Sequence, residues 1–237
     1  MHTLFIADVH LCTDQPDITK NFLNFLRNKA VNANALYILG DLFESWIGDD
    51  AINSMHLKVA AELKQLNNRS IPCYFIHGNR DFLLGRNYAK ISGIKLLNEP
   101  QILEISGHRI IILHGDSLCN NDKRYQNFKK KIRQIWLQKL FLLMPLSIRI
   151  YITKIIRNRS ILNHTHTSKT TDLDLQKILS LLLKYQATIL IHGHTHNPAI
   201  YKMYYKSKIF YHVNLGMWNN SGSIVELNKF GLSLIKY

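Results

Sequence analysis

Five short apolar segments, each ending directly in a polar cluster, constrain the fold of this chain more than any other feature. They read TLFIADVH, ALYILGDLF, PCYFIHGNRD, RIIILHGDS and TILIHGHTH. Segments with helical periodicity, such as Ile18 to Val31 and Met55 to Leu66, lie between them. Strands that alternate with helices predict an α/β layered fold, in which functional sites lie beyond the carboxyl ends of the strands. We therefore expect the polar clusters to converge.

The last cluster places His192, His194 and His196 at every second position after an apolar run. In an extended segment such residues point to the same face, where three crowded imidazoles need polar or charged partners. The rings could form a hydrogen-bonded structural cluster or part of a metal site. The other four clusters favour the metal site for His194 and His196, whereas we predict a supporting structural role for His192.

The other clusters contribute carboxylates, an amide and further imidazoles. Each residue alone has a structural explanation, such as a helix cap, a left-handed turn or a buried hydrogen-bonded ring. Their joint occurrence predicts a metal centre with the ligands Asp8, His10, Asp41, Asn79, His114, His194 and His196. Oxygen and nitrogen ligands without cysteine suit two Mn²⁺ or similar ions per chain, with Asp41 as the bridge. Such a pair activates a water for attack on phosphorus and stabilises the developing charge.

Basic residues are concentrated in the middle of the chain. The sequence has 30 Lys and Arg against 16 Asp and Glu, a net charge of +14, and residues 123–159 contain eleven basic residues and no acidic one. A positive field of this kind attracts nucleic acid, anionic lipid or a phosphorylated substrate. A codon bias toward lysine would explain extra lysines everywhere, but less readily their concentration in one segment.

Cysteine usage and hydropathy indicate the compartment. Cys12, Cys73 and Cys119 are widely spaced and form no CxxC pair, which favours a reducing compartment over a disulfide framework. The N-terminal apolar run is too short for a signal peptide, and the longest apolar stretch, Leu140 to Leu146, is too short to span a bilayer. We expect a protein that is soluble or bound to a membrane surface.

An inserted helical cap is predicted for residues 120–167, between the segments 1–119 and 168–237 of a catalytic domain. Apolar residues recur at helical spacing on both sides of a helix-breaking Pro145: Phe128, Ile132, Ile135, Trp136, Leu140 and Leu143, then Ile148, Ile152 and Ile156. The cap could be an amphipathic hairpin that packs on the core and leaves its charges solvated. In the alternative, its apolar face covers acyl chains while its basic face meets anionic phospholipid.

The ordered motifs DxH, GD, GNxD, HGD and GHTH resemble those of the calcineurin-like metallophosphoesterases. The resemblance covers essentially the whole chain. It is closest to members of the lipid A pathway, in stretches such as ALYILGDLFESWIGDD and CYFIHGNRDFLLG. The resemblance implies a two-sheet β-sandwich flanked by helices, with the helical cap inserted.

The same resemblance implies an activity. The expected reaction is hydrolysis of the pyrophosphate bond of UDP-2,3-diacylglucosamine to UMP and 2,3-diacylglucosamine 1-phosphate, with attack at the phosphorus on the UMP side. The substrate carries two acyl chains and lies in a membrane. We therefore expect a peripheral protein on the cytoplasmic face of the bacterial inner membrane, monomeric and in contact with its anionic surface.

Individual site residues also follow from the resemblance. One metal would be held by Asp8, His10, Asp41 and His196, and the other by Asp41, Asn79, His114 and His194. Arg80 and His194 would be catalytic, and Arg80 stands where many members of the superfamily carry a histidine. Substrate contacts are expected at Asn79, Arg80, Asp122, Ser160, Asn163 and His194. His166 occupies the place of a lysine in the relatives, and Lys169 follows three positions later, so that either could replace this contact.

Two rival functions compete with this interpretation. A metal-dependent phosphodiesterase acting on nucleic acid or another nucleotide-linked substrate would fit the positive charge. It requires basic residues along an open groove with stacking aromatics, rather than on an apolar cap, and so we expect no nucleic-acid partner. A non-catalytic scaffold on the same fold would lack metal ligands, whereas all seven ligand positions are filled here.

Overall fold

The computed structural model describes residues 2–119, 130–166, 173–219 and 221–237, with the backbone alone from 158 to 166. Within these ranges strands and helices alternate as predicted, and the strands form one six-stranded and one five-stranded sheet. The two sheets face each other, which confirms the predicted layered α/β fold with a two-sheet sandwich.

The first sheet carries three of the five polar clusters. Its strands are β1 (His2–Ile6), β2 (Ala35–Ile38), β3 (Cys73–Ile76), β4 (Lys95–Leu97), β10 (Ser223–Asn228) and β11 (Gly231–Lys236). Their order is β11-β10-β1-β2-β3-β4: β1 to β4 pair in parallel, β10 pairs antiparallel with β1, and β11 pairs antiparallel with β10. Because β1, β2 and β3 are parallel neighbours, the clusters that follow them leave the same edge of the sheet.

The second sheet carries the other two clusters. Its strands are β5 (Gln101–Ile105), β6 (His108–Ile112), β7 (Ile189–His192), β8 (Ala199–Tyr205) and β9 (Lys208–Asn214). They lie in the order β5-β6-β7-β9-β8, with β6, β7 and β9 parallel. The chain therefore leaves β6 and β7 side by side, and His114 and the histidine-rich segment come together.

Side-chain alternation explains the packing of the layers. In β1, Phe5 packs between the sheets against β6 residues such as Ile110 and Ile112, whereas Leu4 and Ile6 point to the opposite face. All five of these side chains are fully buried. Both faces of β1 thus lie in a hydrophobic core, as expected for parallel strands covered by helices.

Helices cover the outer faces of both sheets. On the first sheet lie α1 (Pro16–Asn28), α2 (Ser54–Asn68) and α3 (Arg86–Ser92), and on the second lies α6 (Leu175–Lys184). The N-terminus of α2 is fixed by a reciprocal cap, in which Asn53 Oδ1 accepts from His56 N at 3.0 Å and His56 Nδ1 accepts from Asn53 N at 3.1 Å. Ile178 and Leu182 anchor α6 in the core.

Two further helices occupy the described part of the predicted cap. They are α4 (Ile135–Leu143) and α5 (Leu146–His166), and Pro145 lies between them, as predicted. Large apolar side chains of α4 are exposed, including Ile135 at 72%, Trp136 at 63% and Leu143 at 82%. Among the described residues, the apolar side chains of α4 are therefore not packed on the core, which was one of the two alternatives for the cap. Within the described ranges no helix has the length and hydropathy that are needed to cross a bilayer.

Candidate metal centre

Five of the predicted ligands have a left-handed backbone, an uncommon conformation for residues other than glycine. The φ angles are 53° for Asp8, 55° for His10, 52° for Asp41, 72° for His194 and 60° for His196. This conformation costs non-glycine residues about 1–3 kcal/mol each and clusters at functional sites, where the surrounding structure stabilises it. The turns at the strand ends are therefore shaped to direct these side chains, at the expense of local stability.

The geometry of the histidine segment differs from the prediction. Strand β7 ends at His192, and both His194 and His196 have positive φ. The alternation of an extended strand therefore does not explain why these two rings lie together. Instead, the turn after β7 brings both of them to the site.

Tight backbone approaches hold the turns against one another. A Cβ atom on Gly78 would clash with the Oδ1 atom and the backbone nitrogen of Asp41, and one on Gly193 would clash with Asp8. Gly40 has a φ of 87°, and a Cβ there would lie 2.7 Å from Nδ1 of His114. The glycines in these motifs are thus required for close contact between neighbouring strand ends.

The first group of candidate ligand atoms consists of Asp8, His10 and His196. His10 Nε2 lies 3.3 Å from His196 Nε2, and Asp8 Oδ1 lies 3.9 Å from His10 Nε2 and 3.5 Å from His196 Nε2. Ligand atoms that are each about 2.1 Å from one ion lie roughly 3–3.5 Å apart. In the described part of the chain, the buried Asp8 Oδ1 has no hydrogen-bond partner. An orphaned buried carboxylate oxygen facing two imidazole nitrogens fits a divalent cation.

The second group contains Asp8, Asp41 and His114, and Asn79 lies beside it. His114 Nε2 is 3.7 Å from Asp41 Oδ2 and 2.9 Å from Asn79 Oδ1. Asn79 Oδ1 in turn lies 3.1 Å from Nδ1 of His194. All seven predicted ligands therefore lie in one cluster. Asp8 belongs to both groups, and the bridging role of Asp41 stays a prediction.

The charges of the cluster also fit a cation. Burial raises the pKa of Asp8, but the contact with His196 and the charge of His114 outweigh this, and the pKa of Asp8 is about 2. Burial lowers the pKa of His114, but the carboxylates of Asp41 and Asp8 reverse the effect and raise the pKa to about 9. The carboxylates thus draw a proton to His114, and a metal ion that binds there would replace this proton.

Hydrogen bonds orient the rings of His114 and His194. His114 Nδ1 lies 2.8 Å from the carbonyl oxygen of Leu39 and donates this bond, which orients the ring so that Nε2 can bind a metal once the metal displaces its proton. The backbone nitrogen of His194 donates to Asp8 Oδ2 at 2.8 Å. Burial lowers the pKa of His194 to about 3, which keeps the ring neutral and able to bind a metal.

Asp81 supports the loop that carries Asp41. Its carboxylate is fully buried and accepts from the backbone nitrogens of Gly78 at 2.9 Å, Leu42 at 2.8 Å and Asp41 at 3.3 Å. These bonds fix the turns after β2 and β3 relative to each other. Asp81 was part of the GNxD motif, but no positioning role was predicted for it.

Arg80 lies at the rim of the cluster. Its backbone nitrogen donates to Asp41 Oδ1 at 2.9 Å, and its Nη1 donates to Glu44 Oε1 at 2.6 Å. The side chain is one-third exposed, so that a phosphate in the site could reach the remaining donors of the guanidinium. The predicted position of Arg80 beside the metal ligands agrees with this geometry.

His192 has the structural surroundings that were predicted for it. Its Nε2 lies 2.6 Å from Nε2 of His212, its Nδ1 lies 2.6 Å from the carbonyl oxygen of Gly193, and the two imidazole rings stack. Burial lowers the pKa of His192 to about 3, so that the ring is neutral. His192 therefore supports the turn and does not point into the ligand cluster.

The remaining predicted substrate contacts cannot be located with side chains. Asp122 and Lys169 lie outside the described residues, and Ser160, Asn163 and His166 lie in the part of α5 described by its backbone only. Their roles stay predictions.

Arginines of the cap were expected to be solvated or to face lipid, yet three of them turn toward the catalytic domain. Arg133 Nη2 donates to the carbonyl oxygen of Gly78 at 3.2 Å. Arg149 is 2% exposed and forms a two-pronged contact with Asp50, while Arg157 pairs with Glu44. A charge count does not reveal these contacts, because arginines that bind the domain and basic residues that remain exposed contribute to it equally.

The chain was also compared with known proteins. A family model described as calcineurin-like phosphoesterase matches residues 1–198. Proteins named UDP-2,3-diacylglucosamine hydrolase from Sodalis glossinidius, Proteus mirabilis and Escherichia coli K12 are each 46% identical to this chain over 238 residues. These alignments cover 100% of this chain and 98% or 99% of each relative.

A solved structure supports the fold assignment. An archaeal phosphodiesterase superposes with a TM-score of 0.51 at 13% identity, and the match covers 100% of both chains. At this identity the likeness concerns the fold alone.

Proposed function

The chain belongs to the calcineurin-like phosphoesterase family, and on this basis we propose that it hydrolyses UDP-2,3-diacylglucosamine to UMP and 2,3-diacylglucosamine 1-phosphate in the lipid A pathway. The observation that carries the proposal is the convergence of the seven ligand residues beside Arg80, in a chain that aligns over its full length with hydrolases of that name.

The metal centre of the proposal contains two Mn²⁺ ions. Their ligands would be Asp8, His10, Asp41, Asn79, His114, His194 and His196. When bound, the ions supply an activated water and positive charge next to the phosphorus that is attacked. Manganese rather than structural zinc is proposed because the ligand set mixes carboxylate, amide and imidazole groups and lacks cysteine.

Side chains of this protein have two further tasks in the reaction. Arg80 would bind the pyrophosphate through the guanidinium donors that do not contact Glu44, and would stabilise the charge that develops on the phosphate oxygens. His194, whose Nδ1 lies 3.1 Å from Oδ1 of Asn79, would bind and polarise the phosphates together with Arg80. The backbone turns hold both residues, and little reorganisation is needed when substrate binds.

The cap would select the lipid part of the substrate. Trp136, Leu140 and Leu143 of α4 are 63%, 49% and 82% exposed, and Lys130, Lys131 and Lys139 are exposed nearby in the sequence. Apolar side chains interspersed with lysines suit a surface that covers acyl chains and meets anionic phospholipid. The proposed location is therefore the inner-membrane surface, where a monomer would take its substrate from the cytoplasmic leaflet.

Product analysis in ¹⁸O-labelled water tests the reaction and its direction. Protein loaded with Mn²⁺ is incubated with UDP-2,3-diacylglucosamine in mixed micelles and, separately, with a single-stranded oligonucleotide. The proposal predicts UMP that carries one ¹⁸O atom, unlabelled 2,3-diacylglucosamine 1-phosphate and an intact oligonucleotide. Preferential cleavage of the oligonucleotide would instead support the phosphodiesterase alternative, and label in the lipid product would reverse the assignment of the attacked phosphorus.

A further inference from the structure

Glu44 occupies a junction between the metal centre and the cap. It follows β2 in the segment GDLFE, and its backbone nitrogen donates to the carbonyl oxygen of Leu11 at 3.0 Å. Its side chain is only 14% exposed. A nearly buried carboxylate requires partners, and the side chains that contact it among the described residues are the basic His10, Arg80 and Arg157.

One carboxylate oxygen of Glu44 contacts a predicted metal ligand, His10. Oε2 lies 2.9 Å from Nδ1 of His10, while Nε2 of the same ring points toward Asp8 and His196. A carboxylate next to the outer nitrogen of a ligating histidine fixes the orientation of the ring and raises its basicity. His10 is buried, and among the described residues its Nδ1 makes no hydrogen bond of good angle, so that the contact with Glu44 Oε2 stands on the 2.9 Å distance.

The other carboxylate oxygen contacts Arg80, at the rim of the ligand cluster, and the cap. Oε1 accepts from Nη1 of Arg80 at 2.6 Å and also pairs with Nη2 of Arg157 in α5. Nη1 of Arg157 in addition donates to the backbone carbonyl oxygen of Glu44 at 3.5 Å. The contact between Arg157 and Glu44 thus spans 113 positions of sequence and links the cap directly to the residue beside the metal ligands.

We propose that Glu44 is a positioning residue that sets His10 for metal binding through one oxygen and holds Arg80 and the cap helix through the other. This inference rests on the proposed metal-dependent hydrolysis and extends it to a residue outside the predicted site. The two oxygens have separate tasks, so only a carboxylate can perform both. A glutamine has a single acceptor oxygen, and its amide group would donate toward either His10 or the arginines.

The variant E44Q therefore separates this role from a merely structural one. The volume of the side chain is retained, and a urea unfolding midpoint close to that of the wild type establishes that the variant folds. Free Mn²⁺ is followed by electron paramagnetic resonance during titration of metal-free protein, and kcat and KM are measured with UDP-2,3-diacylglucosamine and with bis-p-nitrophenyl phosphate. E62Q, which alters the Arg27–Glu62 ion pair at a carboxylate that is 12% exposed, is the matched control.

We expect E44Q to bind Mn²⁺ about 10–100-fold more weakly than the wild type, because loss of an outer-shell partner has this effect. R157Q leaves the His10 contact intact, so its Mn²⁺ affinity stays that of the wild type while its KM for the lipid substrate rises. In the E44Q background, R157Q then raises that KM by less than it does in the wild type, because each of the two substitutions removes the same contact between Glu44 and Arg157.

Equal Mn²⁺ affinity in E44Q and the wild type would overturn the proposal, as would an equal loss in E44Q and E62Q. A failure of this proposal can be distinguished from a failure of the proposed function. A wild-type protein that binds Mn²⁺ but releases no UMP would contradict the substrate assignment, and the Mn²⁺ titration of E44Q would still decide whether Glu44 orients His10.

Discussion

The metal centre and the helical cap are built in opposite ways. At the metal centre, Asp8, Asp41 and His114 are buried, and the surrounding turns are held by backbone contacts and glycines without room for a side chain. In the cap, α4 has no buried residue, and Arg149 and Arg157 join α5 to the catalytic domain through side-chain contacts with Asp50 and Glu44.

This difference indicates a division of labour. Backbone packing places the ligand atoms with little freedom, which phosphoryl chemistry needs because small displacements of reacting groups are costly. Attachment through a few side-chain contacts would let the cap adjust to the acyl chains that we propose it covers. Substitutions in the two regions should therefore affect different measurements, and the following predictions test this separation.

The largest effect is expected for Asp8→Ala, which removes the carboxylate shared by both candidate ligand groups. Metal-ion charge stabilisation contributes several kcal/mol, and we expect turnover of UDP-2,3-diacylglucosamine and of bis-p-nitrophenyl phosphate to fall together by roughly 10³-fold or more. Steady-state kinetics with both substrates measures this. Loss of activity on only one of them would show that the metal centre is not common to both reactions.

A selective effect is expected for the triple variant W136S/L140S/L143S in α4. Burial of a large apolar side chain contributes about 1.5–3 kcal/mol, and these three are largely exposed before any lipid binds. We expect kcat/KM for the lipid substrate to fall by about 10–100-fold while hydrolysis of bis-p-nitrophenyl phosphate is unchanged. The urea midpoint should also stay constant, because the folded protein does not bury these residues.

Arg149→Ala tests how the cap is attached. The substitution leaves the carbonyl oxygens of Ile47 and Met144 without this donor and Asp50 without its partner, and we expect α5 to open more easily by about 1–2 kcal/mol. Hydrogen exchange of α5 amides measures this opening. Arg149→Lys is the control, because a lysine keeps the charge but cannot form the two-pronged contact. If α5 of Arg149→Lys opens no more often than α5 of the wild type, the charge at position 149 alone holds the cap.

The smallest effect is expected for Lys139→Ala on the exposed part of α4. A lysine near an anionic membrane contributes about 1 kcal/mol, so binding to vesicles with 30% phosphatidylglycerol should weaken by about 5-fold and less so at high salt. Co-sedimentation measures the binding, and neutral phosphatidylcholine vesicles are the control. An unchanged affinity would exclude Lys139 from the membrane-binding surface.

Much of the catalytic domain was predictable from the sequence, because apolar runs ending in Asp, His, Gly and Asn carry strong local information. The layered α/β fold, the break at Pro145 and the convergence of the seven ligands follow from such patterns, whereas the two-sheet arrangement follows from the resemblance of the motifs to a known family. The reason for the pairing of His194 and His196 was not predictable, since the extended alternation that the sequence suggests gives way to left-handed turns that tertiary contacts stabilise.

Contacts made at long range were also missed. Glu44 follows the GD motif and no role was predicted for it, and its partner Arg157 lies 113 positions away. Arg149 reads as one of many basic residues in the cap, although it is almost fully buried against Asp50. Charge counts and periodicity contain no information on which of several similar side chains turns inward, because that choice depends on the packing of the cap on the domain.

The most direct test of the account is release of UMP by metal-free protein supplied with UDP-2,3-diacylglucosamine, with and without Mn²⁺, beside an Asp41→Ala sample. We predict UMP only from the intact protein and only when Mn²⁺ is present, with half-maximal rate at the Mn²⁺ concentration that half-fills the sites. UMP release that is independent of added metal, or that persists in Asp41→Ala, would contradict the assignment of these strand ends as the catalytic metal centre.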